Sequence, residues 1–383
     1  MSEIFHIKVN NEVLIWARES IALGKTKAAD KLKISPARLE QLESGKKFPS
    51  MDELKSMSKT YKRSIATLLL KSPPQEKPLP KDRRTVNSED IGKFNEKTIL
   101  AVRKARAYVS SLVELKKESG FKIDTFNYKA FFSDNPLEIA RKLRKQWNLS
   151  EVMAVDNADD ALEIFIRHLE NLGIAIFQLS ITQDNLRGFS LTDEVMPVIV
   201  LKRGGEYASA KNFTLFHELG HILLNEGGLC DVSYDVESQD IEKWCNAFAA
   251  EILVPEADLL KIKKVIAHRK NKVFTWTKKE LLEIAADFHV GPLVILRRLL
   301  DLGLTGKDFY NNKHSLWNRP AFGISKTHKG RDIPKETVKE KGYNYLSLAF
   351  SAYDKNKIDL KDLSDFIGVK LSYLPQTRQL LKI

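Results

Sequence analysis

The sequence predicts an α+β protein that is mostly helical and contains a small sheet. Apolar residues recur at helical spacing through most of the chain, for example over residues 136–146. Three short segments are instead typical of strands, at residues 174–177, 188–190 and 198–201. An apolar helical segment with two histidines, residues 213–224, follows the last of them. We therefore expect a sheet packed beside this helix, within a largely helical chain.

Composition indicates two or three domains, because the chain has 383 residues of which 43% are hydrophobic. No stretch approaches ~20 uninterrupted apolar residues, and the first residues lack the layout of a signal peptide. Two cysteines, Cys230 and Cys245, are too few for a disulfide framework, which agrees with a reducing compartment. We therefore expect a cytoplasmic protein with no membrane partner. The net charge of +12 favours nucleic acid or an acidic surface as a partner, although lysines are spread along the chain.

The first predicted domain, residues 1–70, is a helical bundle. A helix over residues 12–23 is ended by Gly24, a short helix covers residues 26–32, and Ser35 caps a third helix. Two short helices joined by a tight turn are typical of the DNA-binding helix-turn-helix. This pattern predicts DNA as a partner, with dimerisation or protein contact as the alternative use of the bundle.

The segment KAADKLKISPARLEQLESG, residues 27–45, resembles the Xre family of phage-repressor-like domains. Arg18 and Glu43 match the structural ion pair of that family. The resemblance implies that the third helix enters a major groove. The positions that would then face the bases are Pro36, Ala37, Arg38 and Gln41.

Base readout by these four positions would be poor. Gln41 can pair with adenine and Arg38 with guanine or a phosphate, whereas Pro36 and Ala37 offer only apolar contact to a thymine methyl group. Such a helix needs help from phosphate contacts, which add affinity without specificity. The lysines placed to make them are Lys25, Lys27, Lys46 and Lys47.

Residues 71–95 are predicted to be a linker, because the run at residues 72–84 is rich in proline and charge. A stiff spacer and a peptide-recognition site are both consistent with this composition.

The next predicted domain covers residues 96–310. Its first part is predicted to be helical, at residues 98–117, 136–146 and 159–172. The strands that follow would form the small sheet. A free edge of that sheet could pair with an extended peptide, unless a loop covers it.

Residues 213–224, FTLFHELGHILL, are predicted to form the central helix. His217 and His221 are four residues apart, so both imidazoles lie on one face and can share a metal ion. Imidazole suits zinc (Zn2+), and a catalytic zinc site needs three protein ligands with one position left for water. Glu218 lies beside this face, where its carboxylate could accept a proton from that water. The alternative is a buried structural helix whose histidines only form hydrogen bonds.

The third ligand is expected where an acidic run that ends at Glu242 leads into the helix predicted over residues 243–255, which ends near its proline. Glu242 and Asn246 are four residues apart and share a face. Glu242 could therefore complete the site while Asn246 hydrogen-bonds one of the ligands. Glu251 lies nine positions beyond Glu242, about half a turn round the helix, and is the reserve candidate.

The motifs HELGHILLN and EKWCNAFAAEILVP resemble those of the ImmA/IrrE family of zinc metallo-endopeptidases. The resemblance implies a zincin-like domain in which His217, His221 and Glu242 bind zinc and Glu218 is the catalytic base. Cys245 stands where the family usually has alanine. Family members cleave transcriptional repressors, so the implied partner is a specific protein substrate. Manganese or iron could also occupy a site of two histidines and one carboxylate.

Two roles near the centre are left open by the sequence. The donor that would stabilise an oxyanion could be Tyr207, Lys211 or Asn212, which precede the metal helix. Cys230 is close in sequence to the site, and it is either a thiolate ligand that holds the enzyme inactive or an inert buried thiol.

The C-terminal part is predicted to be helical. Residues 274–288 and 292–300 predict two helices, and residues 310–331 predict a connector. The last region, residues 311–383, contains predicted helices at residues 346–353 and 360–367. Its role is open between a second helix-turn-helix and a packing module.

Together these features predict a zinc-dependent endopeptidase fused to a repressor-like DNA-binding domain. It would cleave a protein such as a transcriptional repressor and so control stress or mobile-element genes. The alternative is a DNA-binding regulator or antitoxin-like protein whose zinc domain is sensory or structural. A protein-interaction scaffold is a third possibility, and pairing of two copies through the N-terminal domain is left open. A purely structural zinc site would not need Glu218.

Overall fold

The structure, a computed structural model, describes residues 6–82, 94–122, 125–149, 155–182, 186–192, 194–231, 240–317 and 332–382. Two compact units make up the chain. The first comprises Met1–Leu79 with Lys93–Val102, and the second comprises Pro80–Gly92 with Arg103–Ile383. Within the described ranges, no helix is both long and apolar enough to cross a membrane. Residues 83–93 of the predicted linker lie outside these ranges.

The first unit is built from short helices around one apolar core. They are α1 (Asn11–Glu19), α2 (Lys25–Leu32), α3 (Pro36–Glu43), α4 (Met51–Tyr61) and α5 (Ile65–Leu68). α1 ends earlier than predicted, and the chain turns back at Ala22, whose φ of 53° is left-handed. α3 begins as predicted, because Ser35 accepts a hydrogen bond from the Arg38 amide and Pro36 is the first helical residue.

A buried ion pair joins α1 to α3. Arg18 Nε donates to Glu43 Oε1 at 2.6 Å, and Arg18 Nη2 donates to Glu43 Oε2 at 3.0 Å. Arg18 Nη1 also donates to the carbonyl oxygen of Leu23 at 3.0 Å. The predicted Arg18–Glu43 pair is therefore present, and it fixes the packing of the bundle.

The helices that come next in the chain are α6 (Glu96–Glu118), which belongs to the second unit from Arg103 onward, α7 (Pro136–Gln146) and α8 (Ala158–Asn171). α7 covers the predicted residues, with Asn135 as its cap and Pro136 at its first position. α8 ends close to the predicted residue, and Gly173 follows it with a φ of 94°.

The sheet of the second unit has the strand order β1-β5-β3-β4-β2. Its strands are β1 (Lys81–Asp82), β2 (Ala175–Leu179), β3 (Leu186–Leu191), β4 (Val198–Lys202) and β5 (Gly228–Asp231). β2 is parallel to β4, β3 is antiparallel to both β4 and β5, and β1 is parallel to β5. The three predicted strands are present. β1 and β5 were not predicted, because strands this short carry no periodic signal.

Two helices carry the candidate metal ligands. α9 (Ala208–Leu223) packs against β3, β4 and α8, and α10 (Asp240–Leu253) packs against α9 and α7. Phe216 and Leu219 of α9 and Phe248 of α10 are buried in the same core. α10 ends two residues before Pro255, as its sequence predicts.

The helices that follow are α11 (Glu256–Leu259), α12 (Lys263–Asn271), α13 (Lys278–Asp287), α14 (Pro292–Asp301) and α15 (Lys307–Trp317). α13 starts later than predicted, because Thr277 and Glu280 form a capping box there. The predicted connector is wrong over residues 310–317, which belong to α15 with Tyr310 in the main core. Residues 318–331 lie outside the described ranges.

The last helices are α16 (Ile333–Lys341), α17 (Tyr343–Asp354), α18 (Leu360–Ile367) and α19 (Leu374–Leu381). α17 is capped from α8, because Glu170 Oε2 accepts the amides of Tyr343 at 3.2 Å and Asn344 at 3.1 Å. Gly342 has a φ of 78°, and a Cβ on it would collide with Glu170 Oε1. Burial raises the pKa of Glu170 to about 8.

Candidate metal centre

His217, His221 and Glu242 form one buried cluster. Their nearest ligand atoms all lie within 4.8 Å of one another. His217 Nε2 is 3.2 Å from His221 Nε2 and 3.2 Å from Glu242 Oε2, and His221 Nε2 is 3.4 Å from Glu242 Oε1. The structure thus brings together the three side chains that the sequence predicts as ligands.

The spacing of these atoms fits a tetrahedral zinc ion. Ligand atoms bound at the usual zinc distances, about 2.0–2.1 Å, lie about 3.3 Å from one another. Two imidazole nitrogens and a carboxylate oxygen are also a donor set that suits zinc. Both oxygens of Glu242 are buried, and they face the two histidine rings at 3.2–3.4 Å. A metal would satisfy these oxygens.

A glycine lets the two ligand helices approach closely. Gly220 lies on α9 between His217 and His221, directly against Cys245 of α10. A Cβ at position 220 would be 3.1 Å from Cys245 Sγ and 3.2 Å from its Cα, closer than side chains normally pack. The missing side chain therefore keeps Glu242 within reach of the histidines.

Glu218 lies beside the cluster, against strand β3. A Cβ on Gly188 would be 3.6 Å from Glu218 Cγ and 2.8 Å from both Thr214 Cγ2 and the Val200 carbonyl oxygen. Burial raises the pKa of Glu218 to about 8, against the opposing effects of His217 and Ser190. Its two oxygens are buried and lack a hydrogen bond of ordinary geometry to the described residues. Burial thus favours the protonated form of this carboxyl group, which makes it a strong proton acceptor once it is ionised.

The sequence argument missed the contributions of Gly188 and Gly220. A glycine inside a strand signals a close approach of another element, so Gly188 did carry a readable signal. Gly220 carried none, because its neighbour Cys245 is known only once the two helices are docked.

Burial and charge shift the pKa values of the candidate ligands in opposite directions. Burial lowers the pKa of His217, but the hydrogen bond and charge of Glu242 outweigh it, so the pKa is raised. Burial raises the pKa of Glu242, but its hydrogen bonds with His217 and His221 outweigh this and hold the pKa well below its usual range. The cluster therefore holds a carboxylate facing two imidazoles.

Asn246 contacts the cluster from α10. Its Oδ1 is 3.0 Å from His217 Nδ1, so the ring can donate there and turn Nε2 toward Glu242. Glu251 is held elsewhere. It pairs with Arg298 and with Arg141, whose Nε is 2.7 Å from Glu251 Oε1. The reserve candidate is therefore a structural carboxylate.

The three candidates for oxyanion stabilisation lie in or before the first turns of α9. Lys211 Nζ donates to Gln178 Oε1 at 2.8 Å and to the Arg203 carbonyl oxygen at 3.1 Å. Asn212 Nδ2 donates to the carbonyl oxygen of His289 at 2.8 Å. Tyr207 is the exposed cap residue of the helix. Lys211 and Asn212 thus already use donors in structural contacts, and none of the three is part of the cluster.

The structure describes the side chain of Cys245 but only the backbone of Cys230. Cys245 is buried against Gly220. The backbone of Cys230 lies in β5, opposite Gly188 of β3. The side chain of Cys230 lies outside what the structure describes, so its predicted role as a ligand or inert thiol stays a prediction.

The predicted DNA contacts lie on the first unit, mostly at its surface. Lys27, Pro36, Ala37 and Lys46 are exposed, and Gln41 is half-buried. Arg38 is engaged within the unit. Its Nε and Nη2 each donate to Glu53 at 2.8 Å. A contact from Arg38 to guanine would require this pair to break.

Residues 169–300 match the family model Peptidase_M78, whose description is the IrrE N-terminal-like domain. No curated protein and no solved structure matches the chain. The matched residues run from the end of α8 into α14, and they include the whole metal centre. This segment is thus similar to a peptidase family, which supports the resemblance to the ImmA/IrrE family. The first unit lies outside the match.

Proposed function

We propose that the chain is a zinc-dependent endopeptidase in which His217, His221 and Glu242 hold the metal. The observation that carries this proposal is the convergence of two imidazole nitrogens and the two oxygens of one buried carboxylate, with nearest distances of 3.2–3.4 Å, inside the segment that resembles a peptidase. A bound zinc ion would supply a Lewis acid for the peptide carbonyl and would lower the pKa of an attacking water.

The protein's own proton carrier would be Glu218. It would accept a proton from the attacking water and pass it to the amine that leaves when the peptide bond breaks. A base works best when its pKa lies near the working pH, and burial raises the pKa of Glu218 to about 8. A zinc site with a structural role alone would give no use to a buried carboxyl group beside the metal ligands.

We propose a specific protein as the substrate, such as a transcriptional repressor, because the resemblance is to enzymes of that kind. The first unit would bind DNA through exposed lysines, among them Lys27 and Lys46. The arrangement would place protease and DNA contact in one cytoplasmic chain that controls stress or mobile-element genes.

A second function is favoured by one observation. His217, Glu218 and His221 are 0% exposed and Glu242 is 1% exposed, so the centre is closed to solvent. A DNA-binding regulator or antitoxin-like protein with a structural or sensory zinc site would need no access to it. The endopeptidase requires Glu218 for activity, whereas the regulator does not require it.

The experiment is a comparison of new protein N-termini in cells that produce the wild type or Glu218→Gln. The proposal predicts cleavage products with the wild type, none with Glu218→Gln, and equal zinc content in both. Glu256→Gln, a change to a half-exposed carboxylate, is the matched control and should behave as wild type. Products that persist in Glu218→Gln would refute the mechanism. Zinc and operator binding without products in any variant would establish the regulator.

A further inference from the structure

The candidate centre is closed, although proteolysis requires a peptide bond to reach it. All four of its chemistry-bearing side chains are at most 1% exposed. Part of the chain must therefore move before a substrate can enter. The element that could move is a strand paired with β3, the strand that contacts Glu218.

β3 touches the catalytic machinery directly. Gly188 of β3 lies against Glu218, and the Ser190 hydroxyl acts on the same carboxyl group. β4 occupies one edge of β3 and β5 occupies the other, antiparallel to β3. An extended peptide that paired with β3 on the side away from β4 would need the position that β5 now fills.

β5 is the weakly secured strand of this sheet. β2 and β4 pair in continuous register along their full length, whereas the pairing of β3 with β5 is interrupted by a register shift between Leu186 and Gly188. β5 is only 4 residues long, and its outer edge is covered by the 2 residues of β1. Short, irregular pairings open more readily than continuous ones.

β5 also lies in the segment that connects the two ligand helices, after α9 and before α10. Release of β5 would therefore free the edge of β3 without displacing His217, His221 or Glu242, which are held by buried helices. The site could open while its ligands stay in place.

We propose that β5 is an internal cover strand, which must leave β3 before an extended peptide can pair antiparallel with β3 in its place. This inference rests on the proposed function and defines its substrate class as a polypeptide segment in extended conformation. β1 pairs with the outer edge of β5, so residues 81–82 would help to hold β5 against β3 and keep the site closed. Recognition along β3 would be mostly through the backbone, because Gly188 offers no side chain at the pairing position.

The test is hydrogen exchange on the full-length protein together with zinc release to a chelator. In the wild type, the amides of residues 229–230 should exchange at least 10-fold faster than those of β4, because β5 opens locally. Exchange of both strands at the same slow rate would overturn the proposal, since β5 would then be a fixed part of the sheet. This measurement requires neither zinc nor proteolysis, so it fails independently of the proposed function.

Two variants provide the second measurement. Leu229→Pro removes an amide from a strand that is paired on both sides, whereas Leu229→Ala keeps it. Zinc release from Leu229→Pro should be at least 10-fold faster than from wild type, and release from Leu229→Ala should stay within 2-fold. Equal release from all three proteins would overturn the proposal. If Leu229→Pro does not fold, the exchange rates of the wild type decide alone. If the wild type binds no zinc, the proposed function fails while exchange still decides whether β5 opens.

Discussion

Glu251 should be essential for stability and irrelevant to metal binding. Its carboxylate is 1% exposed and pairs with the guanidinium of Arg298, which is 2% exposed. Arg298 Nε also donates to the Val254 carbonyl oxygen at 3.1 Å, which fixes the end of α10. Glu251→Gln would leave the charge of Arg298 buried without a counter-charge. Removing one partner of such a pair costs about 3–5 kcal/mol.

We expect a cost at the lower end of this range. Glu251 also pairs with Arg141, but Arg141 is half-exposed, so water can solvate its charge when the carboxylate is removed. We expect a loss of ~3 kcal/mol in the free energy of unfolding, and a fall in Tm of roughly 5–10 °C. Urea and thermal unfolding should be measured with a chelator present, so that zinc binding adds no stability. Zinc content, measured separately without chelator, should equal that of wild type.

The matched control for this experiment is Glu256→Gln. Glu256 pairs with the same Arg141 at 3.0 Å, but at the surface. We expect its loss to cost less than ~0.5 kcal/mol. A loss below ~1 kcal/mol in Glu251→Gln, or a loss of zinc in that variant, would refute the assignment of Glu251 as a structural carboxylate.

Three further predictions concern charge, helix spacing and DNA. The raised pKa of Glu170 means that folding favours its protonated form, a stabilisation that is complete below the ordinary pKa of 4.5 and lost as pH rises through about 8. From pH 5 to pH 8, wild type should therefore lose on the order of 3 kcal/mol of unfolding free energy relative to Glu170→Gln, whereas parallel curves would contradict this. Gly220→Ala should weaken zinc affinity about 10-fold in chelator competition, and adding Cys245→Gly to it should partly restore the affinity. Unchanged affinity in Gly220→Ala would show that the packing of α9 against α10 can accommodate the added methyl group. Lys27→Ala should reduce the salt dependence of binding to labelled duplex DNA by about one unit of slope, whereas Arg38→Ala, whose side chain pairs with Glu53, should not; the reverse result would show that Arg38 leaves Glu53 on DNA.

The sequence was most informative where side-chain spacing alone sets geometry. The four-residue separation of His217 and His221 places both rings on one helical face, and the same spacing places Glu242 and Asn246 together on α10. The half-turn between Glu242 and Glu251 agrees with their different surroundings, since Glu242 lies in the cluster and Glu251 pairs with arginine. Caps and prolines likewise located the start of α3 and the end of α10.

Features that depend on contacts between distant segments were beyond the sequence. β1 and β5 are far apart in the sequence, and neither has enough residues to show a strand pattern. The ion pair of Arg38 with Glu53, the acidic residue of the α4 capping box, joins two segments that the sequence does not show to be neighbours. The connector expected at residues 310–317 is helical, because burial of Tyr310 in the core outweighs its mixed local composition.

The most direct test of the central claim is the metal content of protein purified without added metal, measured by mass spectrometry. Wild type, His217→Ala and Glu242→Ala should be compared, with Glu251→Gln as the carboxylate that lies outside the cluster. We predict near-stoichiometric zinc in wild type and Glu251→Gln, and its loss in the other two variants. An empty wild-type site, or zinc retained in Glu242→Ala, would contradict the account of a centre formed by His217, His221 and Glu242.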